Sequence, residues 1–170
     1  MMNQAIGTPS GALLSPCRQY RYLLWRTWDL DKPKMLWIML NPSTADAEVN
    51  DATISVCMGR ARLLGYGGIV VANLFALRAT HPQALYADGV RPICGDDMIG
   101  RYTRFLMDVV EHCGVVVCAW GTHGKYLGMG PSLLRVLHEA GIQCWALKRN
   151  ADGSPAHPLR IPYSQPLMRL

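Results

Sequence analysis

The sequence predicts an α/β fold of three layers, α/β/α, around a central, mainly parallel four-stranded sheet with one extra strand on its amino-terminal side. Two observations carry this. Four short apolar runs are bounded by turn residues, as in strands buried on both faces. Between them lie longer segments whose apolar residues recur at three- and four-residue spacing, the signature of helices. A length of 170 residues suits one domain, so residues 1–170 are read as a single α/β unit with 1–19 as an irregular leader.

Taken in order, Tyr20 to Trp28 has the aromatic and branched content of the extra strand and runs into an Asp29-Leu-Asp-Lys-Pro33 turn. Met35 to Leu40 is the first buried strand and stops at Asn41-Pro42. From Asp51, an expected N-cap, Ile54, Cys57, Met58, Ala61 and Leu64 form one apolar stripe, and Gly65 is the expected stop. Gly68 to Leu74 is the second buried strand, followed by a polar loop through Pro92. Asp96 to His112 is helical by spacing, Gly114 to Trp120 is the third strand, a helix lies within His123 to Ala140, and Ile142 to Leu147 is the fourth strand. The Pro- and Gly-rich remainder reads as an irregular tail.

Composition narrows the class. Half the residues are hydrophobic and 17% are charged, which excludes disorder driven by charge and low hydrophobicity. The longest apolar runs fall well short of the ~20 residues of a membrane span. The first residues lack a basic start followed by an apolar run. No membrane partner is therefore expected, and the cytoplasm is the expected compartment. Six cysteines, Cys17, Cys57, Cys94, Cys113, Cys118 and Cys144, include no C-x-x-C pair, so no metal site is expected and Cys57 and Cys118 read as core. The net charge of +5 favours contact with phosphates, although many soluble domains carry as much without an anionic partner.

In parallel sheets ligands lie outside the carboxyl ends of the strands, which selects the residues of interest. Asn41-Pro42-Ser43-Thr44-Ala45-Asp46 sets an amide, two hydroxyls and a carboxylate past the first strand. These groups suit a polar ligand or a held water; alternatively Asn-Pro makes a turn and Ser43 or Thr44 caps a helix. Asn73 ends the second strand, where a buried amide needs either a ligand or a backbone partner. Arg78 and His81 follow in the loop as phosphate contacts or as solvated charge. Gly121-Thr-His-Gly-Lys125 has the look of a phosphate cradle without being a Walker loop, with Thr122 the expected helix cap and His123 and Lys125 as anion contacts. His157, in Gly153-Ser-Pro-Ala-His-Pro158, is either a fixed hydrogen-bond donor or a surface histidine.

Taken together in chain order, these pieces resemble the uracil-DNA glycosylase superfamily from about Met35 to Pro158. Met39-Leu-Asn41-Pro42-Ser43 is similar to the motif that positions water at the end of that family's first strand. Val71-Ala-Asn73 is similar to the strand end whose asparagine reads a pyrimidine edge, and Ala156-His157-Pro158 to the His-Pro-Ser motif that contacts a base carbonyl. Met39 and Ser43 stand where glycines are common, and Leu159 where serine follows His-Pro. The close cysteine pair of the iron–sulfur members is missing, so no cofactor is expected. More narrowly, Leu40-Asn-Pro-Ser-Thr-Ala-Asp46 with Asn73-Leu-Phe-Ala-Leu-Arg-Ala-Thr80 resembles a bacterial domain family of unknown function, number 1643.

The resemblance implies an enzyme cleaving a nucleobase glycosidic bond in DNA or in a nucleotide. Asn41 would position water, Asn73 read the base, His157 hydrogen-bond the oxygen that gains charge, and Phe75 stack on a base flipped from its helix. Pro42, Ser43 and Asp46 would complete the pocket, and Arg78, His123 and Lys125 would meet phosphate. The alternative is a non-catalytic nucleic-acid or nucleotide-binding module. A third reading is an enzyme for an unrelated small molecule, with Asp46 or Asp51 as base.

Overall fold

In the computed structural model, which describes residues 8–92 and 98–170, seven strands share one sheet. They are β1 (Ser10–Leu14), β2 (Arg21–Thr27), β3 (Lys34–Met39), β4 (Gly68–Asn73), β5 (Val115–Cys118), β6 (Cys144–Ala146) and β7 (Met168–Arg169). Their order is β1-β2-β4-β3-β5-β6-β7. Three helices are described: α1 (Ala52–Leu63), α2 (Met98–Val110) and α3 (Met129–Glu139). β3 pairs in parallel with β4 and β5, and β5 with β6, whereas β1–β2, β2–β4 and β6–β7 are antiparallel.

The fold is therefore α/β, as expected, but its sheet is seven-stranded and mixed rather than a mainly parallel four with one addition. The extra members come from segments read as irregular. In the leader, β1 runs antiparallel to β2, and Gly11 lets the two approach: a Cβ there would lie 2.1 Å from the Trp25 ring. In the tail, the two exposed residues of β7 pair with β6. Neither carries enough apolar alternation to announce a strand.

Burial explains the layers. Successive side chains of β3 point to opposite faces. Leu36 and Ile38 join Val70 and Ala72 of β4 against Tyr102 and Leu106 of α2 and Leu133 and Leu137 of α3. Met35, Trp37 and Met39 join Ile69 and Val71 against Ile54, Cys57 and Ala61 of α1. One helix thus covers one face and two cover the other. The chain goes from β3 to β4 on one side and then crosses to β5 on the other, and the covering helix changes face at that reversal. The carboxyl ends of β3 and β5, which are neighbours, flank the resulting switch point.

Local signals place the helix ends unevenly. Asp51 caps α1, its Oδ1 accepting the Ile54 N–H at 2.8 Å, and Gly65 adopts φ 80° just beyond the helix. Leu64, expected in the apolar stripe, is exposed. The helix expected within His123 to Ala140 is broken: a 3₁₀ segment, Thr122–Gly128, precedes α3 and ends on Leu127 at φ 51° and Gly128 at φ 66°. The residue before that segment is Gly121, with no side-chain cap, so Thr122 is not the expected helix cap. The predicted helix start at Asp96, like Cys94, lies outside the described residues. Cys57 and Cys118 are fully buried, as expected. No described helix is long and apolar enough to cross a membrane.

The tail is fastened by Arg60 of α1, whose guanidinium donates to the carbonyls of Ile161 at 2.6 Å, Pro162 at 2.8 Å and Gln165 at 3.4 Å. The Tyr163 ring lies 5.2 Å from the Arg60 guanidinium carbon. Arg60→Met, which keeps the apolar stem, is expected to lower stability by about 1–3 kcal/mol. It is also expected to make trypsin cut the tail faster at Arg160 and Arg169 while the circular dichroism of the sheet is unchanged. A tail as resistant as that of the parent chain would show that Arg60 does not hold it.

Candidate functional site

A cavity of about 770 Å³ opens at the switch point. Leu40, Asn41 and Ser43 reach it from the end of β3, and Trp120, Gly121 and His123 from the end of β5. Asp51 and Thr53 enter from the start of α1, Lys148 and Asn150 follow β6, and His157, Leu159 and Arg160 come from the tail. Its floor is rigid. Trp120 is 3% exposed and is wedged between Gly124 and Gly130, where added Cβ atoms would lie 1.9 Å and 2.8 Å from its indole. The glycine of the Gly-Thr-His-Gly-Lys run at position 124 therefore gives clearance to an aromatic ring.

Two groups far apart in sequence present matching half-used side chains. The Asn41 amide donates from Nδ2 to Ala79 O at 2.7 Å and to Pro42 O at 3.2 Å, which fixes the side chain and leaves Oδ1 as a ligand acceptor. His157 Nδ1 accepts the Leu159 N–H at 3.4 Å. A neutral ring bonded in this way carries its proton on Nε2, a donor without a partner among the described residues. Asp51, which lines the same cavity, uses Oδ1 for its cap.

The loop that bears Asn41, Ser43 and Asp51 is held from below by arginines. Arg21, 2% exposed, donates to Ala45 O at 2.7 Å. Arg26 donates to Asp46 O at 2.6 Å and to Asn50 Oδ1 at 2.9 Å, and Arg78 reaches Thr44 O at 3.3 Å. Desolvation draws the Arg21 pKa down to about 10, partly offset by the Asp51 carboxylate, so the group stays cationic at neutral pH.

The remaining sequence candidates fall elsewhere. Pro42 is buried and contributes its carbonyl to Asn41 and Ala79. Asp46 accepts the N–H groups of Val49 and Glu48, which hold its carboxyl below the usual range, and does not line the cavity. Asn73 is 1% exposed; its carbonyl accepts from Tyr102 Oη at 2.7 Å, and its amide has no partner among the described residues. Asn73 therefore meets neither a described backbone partner nor the cavity. Phe75 is fully buried, its ring 5.7 Å from that of Tyr126, and is not placed to stack on a ligand. Arg78 is engaged with the loop and with Arg18 O. Lys125 pairs with Asp152 at 2.8 Å, away from the cavity, and lowers the Asp152 pKa. His123 does line it, with Nδ1 2.6 Å from Tyr86 Oη. Sequence reading missed Lys148, Asn150 and Arg160; the first two follow the fourth strand, where the carboxyl-end rule pointed. Among the described residues no group of His, Cys, Asp and Glu is clustered to hold a metal.

Crowding by its neighbours draws the His157 pKa below the ordinary histidine value, opposed by Asp51, even though the ring keeps an exposed edge. The unfolded chain then takes up this proton at higher pH than the folded one. The associated stability is present above the unfolded pKa and is lost as pH falls through the folded pKa. In an NMR titration His157 is expected to protonate below ~6.5, and lower still in Asp51→Asn, which keeps a capping side chain. A value at or above 6.5, or one indifferent to Asp51→Asn, would contradict this electrostatic arrangement.

No curated protein and no solved structure matches the chain. A family model described as protein of unknown function, DUF1643, matches residues 21–159, from the first residue of β2 to the cavity-lining Leu159. On that match, the chain belongs to the DUF1643 family.

Proposed function

We propose that the cavity hydrolyses a nucleobase N-glycosidic bond, in a uracil-DNA glycosylase-like arrangement of strand-end asparagine and tail histidine. The observation that carries this reading is the convergence of Asn41 and His157 on one cavity, each with one polar atom fixed by backbone and one free. Cleavage breaks the bond between the sugar and the base nitrogen and leaves an oxocarbenium-like sugar and an anionic base. His157 Nε2–H donates to the base oxygen that gains charge. Asn41 Oδ1 accepts a hydrogen bond from the water whose oxygen bonds to the sugar carbon, and the Asp51 carboxylate takes the proton that water loses. That proton then passes through solvent to the departed base.

A second reading, a binding module without chemistry, is favoured by one observation: Asn73 and Phe75, which would read and stack on the base, lie outside the cavity. Fold alone does not decide between them. The test uses nucleotides and single- and double-stranded DNA carrying uracil, hypoxanthine or a mismatch, with released base measured by chromatography. Release is expected from the parent chain, with kcat reduced ~100-fold or more in His157→Ala and in Asn41→Ala. Binding without release on every substrate would favour the second reading, and release undiminished in both variants would remove these residues from the mechanism.

A further inference from the structure

We infer that the cavity takes a free nucleoside monophosphate, its phosphate held by Lys148 and Arg160. This rests on reading the cavity as a nucleotide site. The first support is where the positive charge goes. Arg21, Arg26, Arg60 and Arg78 donate to carbonyls of the chain itself. Lys32, Lys125 and Arg135 are paired with Asp29, Asp152 and Glu139 at 2.8–2.9 Å. Arg62 lies over the Trp28 ring at 4.0 Å, and Arg169 is bonded to Gln143. Nine of the cationic side chains are therefore engaged with groups of the chain itself.

Lys148 and Arg160 differ from these. Both are exposed and both line the cavity, and neither side chain has a hydrogen-bond or ion-pair partner among the described residues. Among the described residues the carboxylate lining the same space is Asp51, whose Oδ1 caps α1. The backbone that carries the two cations is also tied to the segment that carries His157. Lys148 O accepts the Ala156 N–H at 2.8 Å, and the carbonyls of Ile161 and Pro162, just after Arg160, are held by Arg60. An anion bound between them is anchored to the same piece of chain that presents the imidazole. The volume, about 770 Å³, lies within the ~300–1,000 Å³ typical of small-molecule sites.

Binding to the intact chain is measured calorimetrically with the five common nucleoside 5′-monophosphates, their nucleosides, inorganic phosphate and a 20-nucleotide single strand. At least one monophosphate is expected to bind tenfold or more tightly than its nucleoside. The Lys148→Gln/Arg160→Gln double variant is expected to erase that advantage while leaving nucleoside affinity unchanged. The exchange Lys148→Arg/Arg160→Lys should retain it. Equal affinity for nucleoside and monophosphate would overturn the proposal, as would no binding by any monophosphate. Single-strand binding with a steep salt dependence and no preference among the small ligands would assign the site to a polymer instead. Base release is not part of this readout. Monophosphate-selective binding without hydrolysis would remove the glycosidase reading and leave this one standing, whereas hydrolysis of DNA without that selectivity would do the reverse.

Discussion

Buried guanidinium groups bonded to backbone carbonyls are the constraint on which the site depends. The segment after β3 runs from Asn41 to Asp51 without regular structure, and a loop of that length has carbonyls that neither helix nor sheet satisfies. Arg21, Arg26 and Arg78 supply the missing donors. A buried cation is costly unless several acceptors surround it. Arg21 is tied to the loop by its bond to Ala45 O and is offset electrically by Asp51 at the loop's end, while its buried Nε has no partner among the described residues. The position of β2 makes this possible, because its antiparallel pairing with β4 brings Arg21 and Arg26 alongside the loop.

The same device recurs at the tail. Arg60 gathers three carbonyls from the segment after Arg160, and the Tyr163 ring packs over it. Gly59 is what allows that ring so close, since a Cβ would lie 2.6 Å from the Tyr163 hydroxyl. Two walls of the cavity, the β3 loop and the tail, are thus both irregular chain held by arginine. A net charge that suggests a nucleic-acid partner when counted over the sequence has a different meaning once the arginines are placed. Most of its weight on these two segments is structural.

What could be read from the sequence follows from burial on both faces. β3 to β6 and α1 were legible because uninterrupted apolar runs and an Asp51 cap are local signals. β1 and β7 were not, since an edge strand with Ser10, Gly11 and two exposed terminal residues has no apolar pattern to show. Strand ends were legible as a neighbourhood but not as directions. Asn73 is in register with Met39, whose side chain enters the core beside α1, so its amide is buried in the sheet instead of opening onto the cavity. Phe75 and Lys125 are two further cases. The acceptor that claims Lys125, Asp152, lies in a different loop, and Tyr126 covers Phe75 only because the chain breaks before α3. Lys148 and Arg160 carried no motif, and only the tail's return to the end of β6 makes them neighbours of one cavity.

Under the proposed glycosidase reading, Leu159, Met39 and Ser43, which differ from glycosylase-type motifs, can be weighed by what each position contributes. At Leu159 the group that matters to His157 is the backbone N–H, which bonds Nδ1 and sets the tautomer, and any residue but proline supplies it. Replacing a serine there leaves the Nε2 donor in place. Met39 is 5% exposed and packs in the core under α1, so its bulk is directed away from the cavity. Ser43 is the departure that brings polar groups to the cavity, which it lines together with Leu159. A hydroxyl there narrows the space and adds a donor and an acceptor beside Asn41. Of the three departures, Met39 is therefore absorbed by the core, whereas Ser43 and the exposed side chain of Leu159 both face the cavity, the first adding polar groups and the second apolar surface.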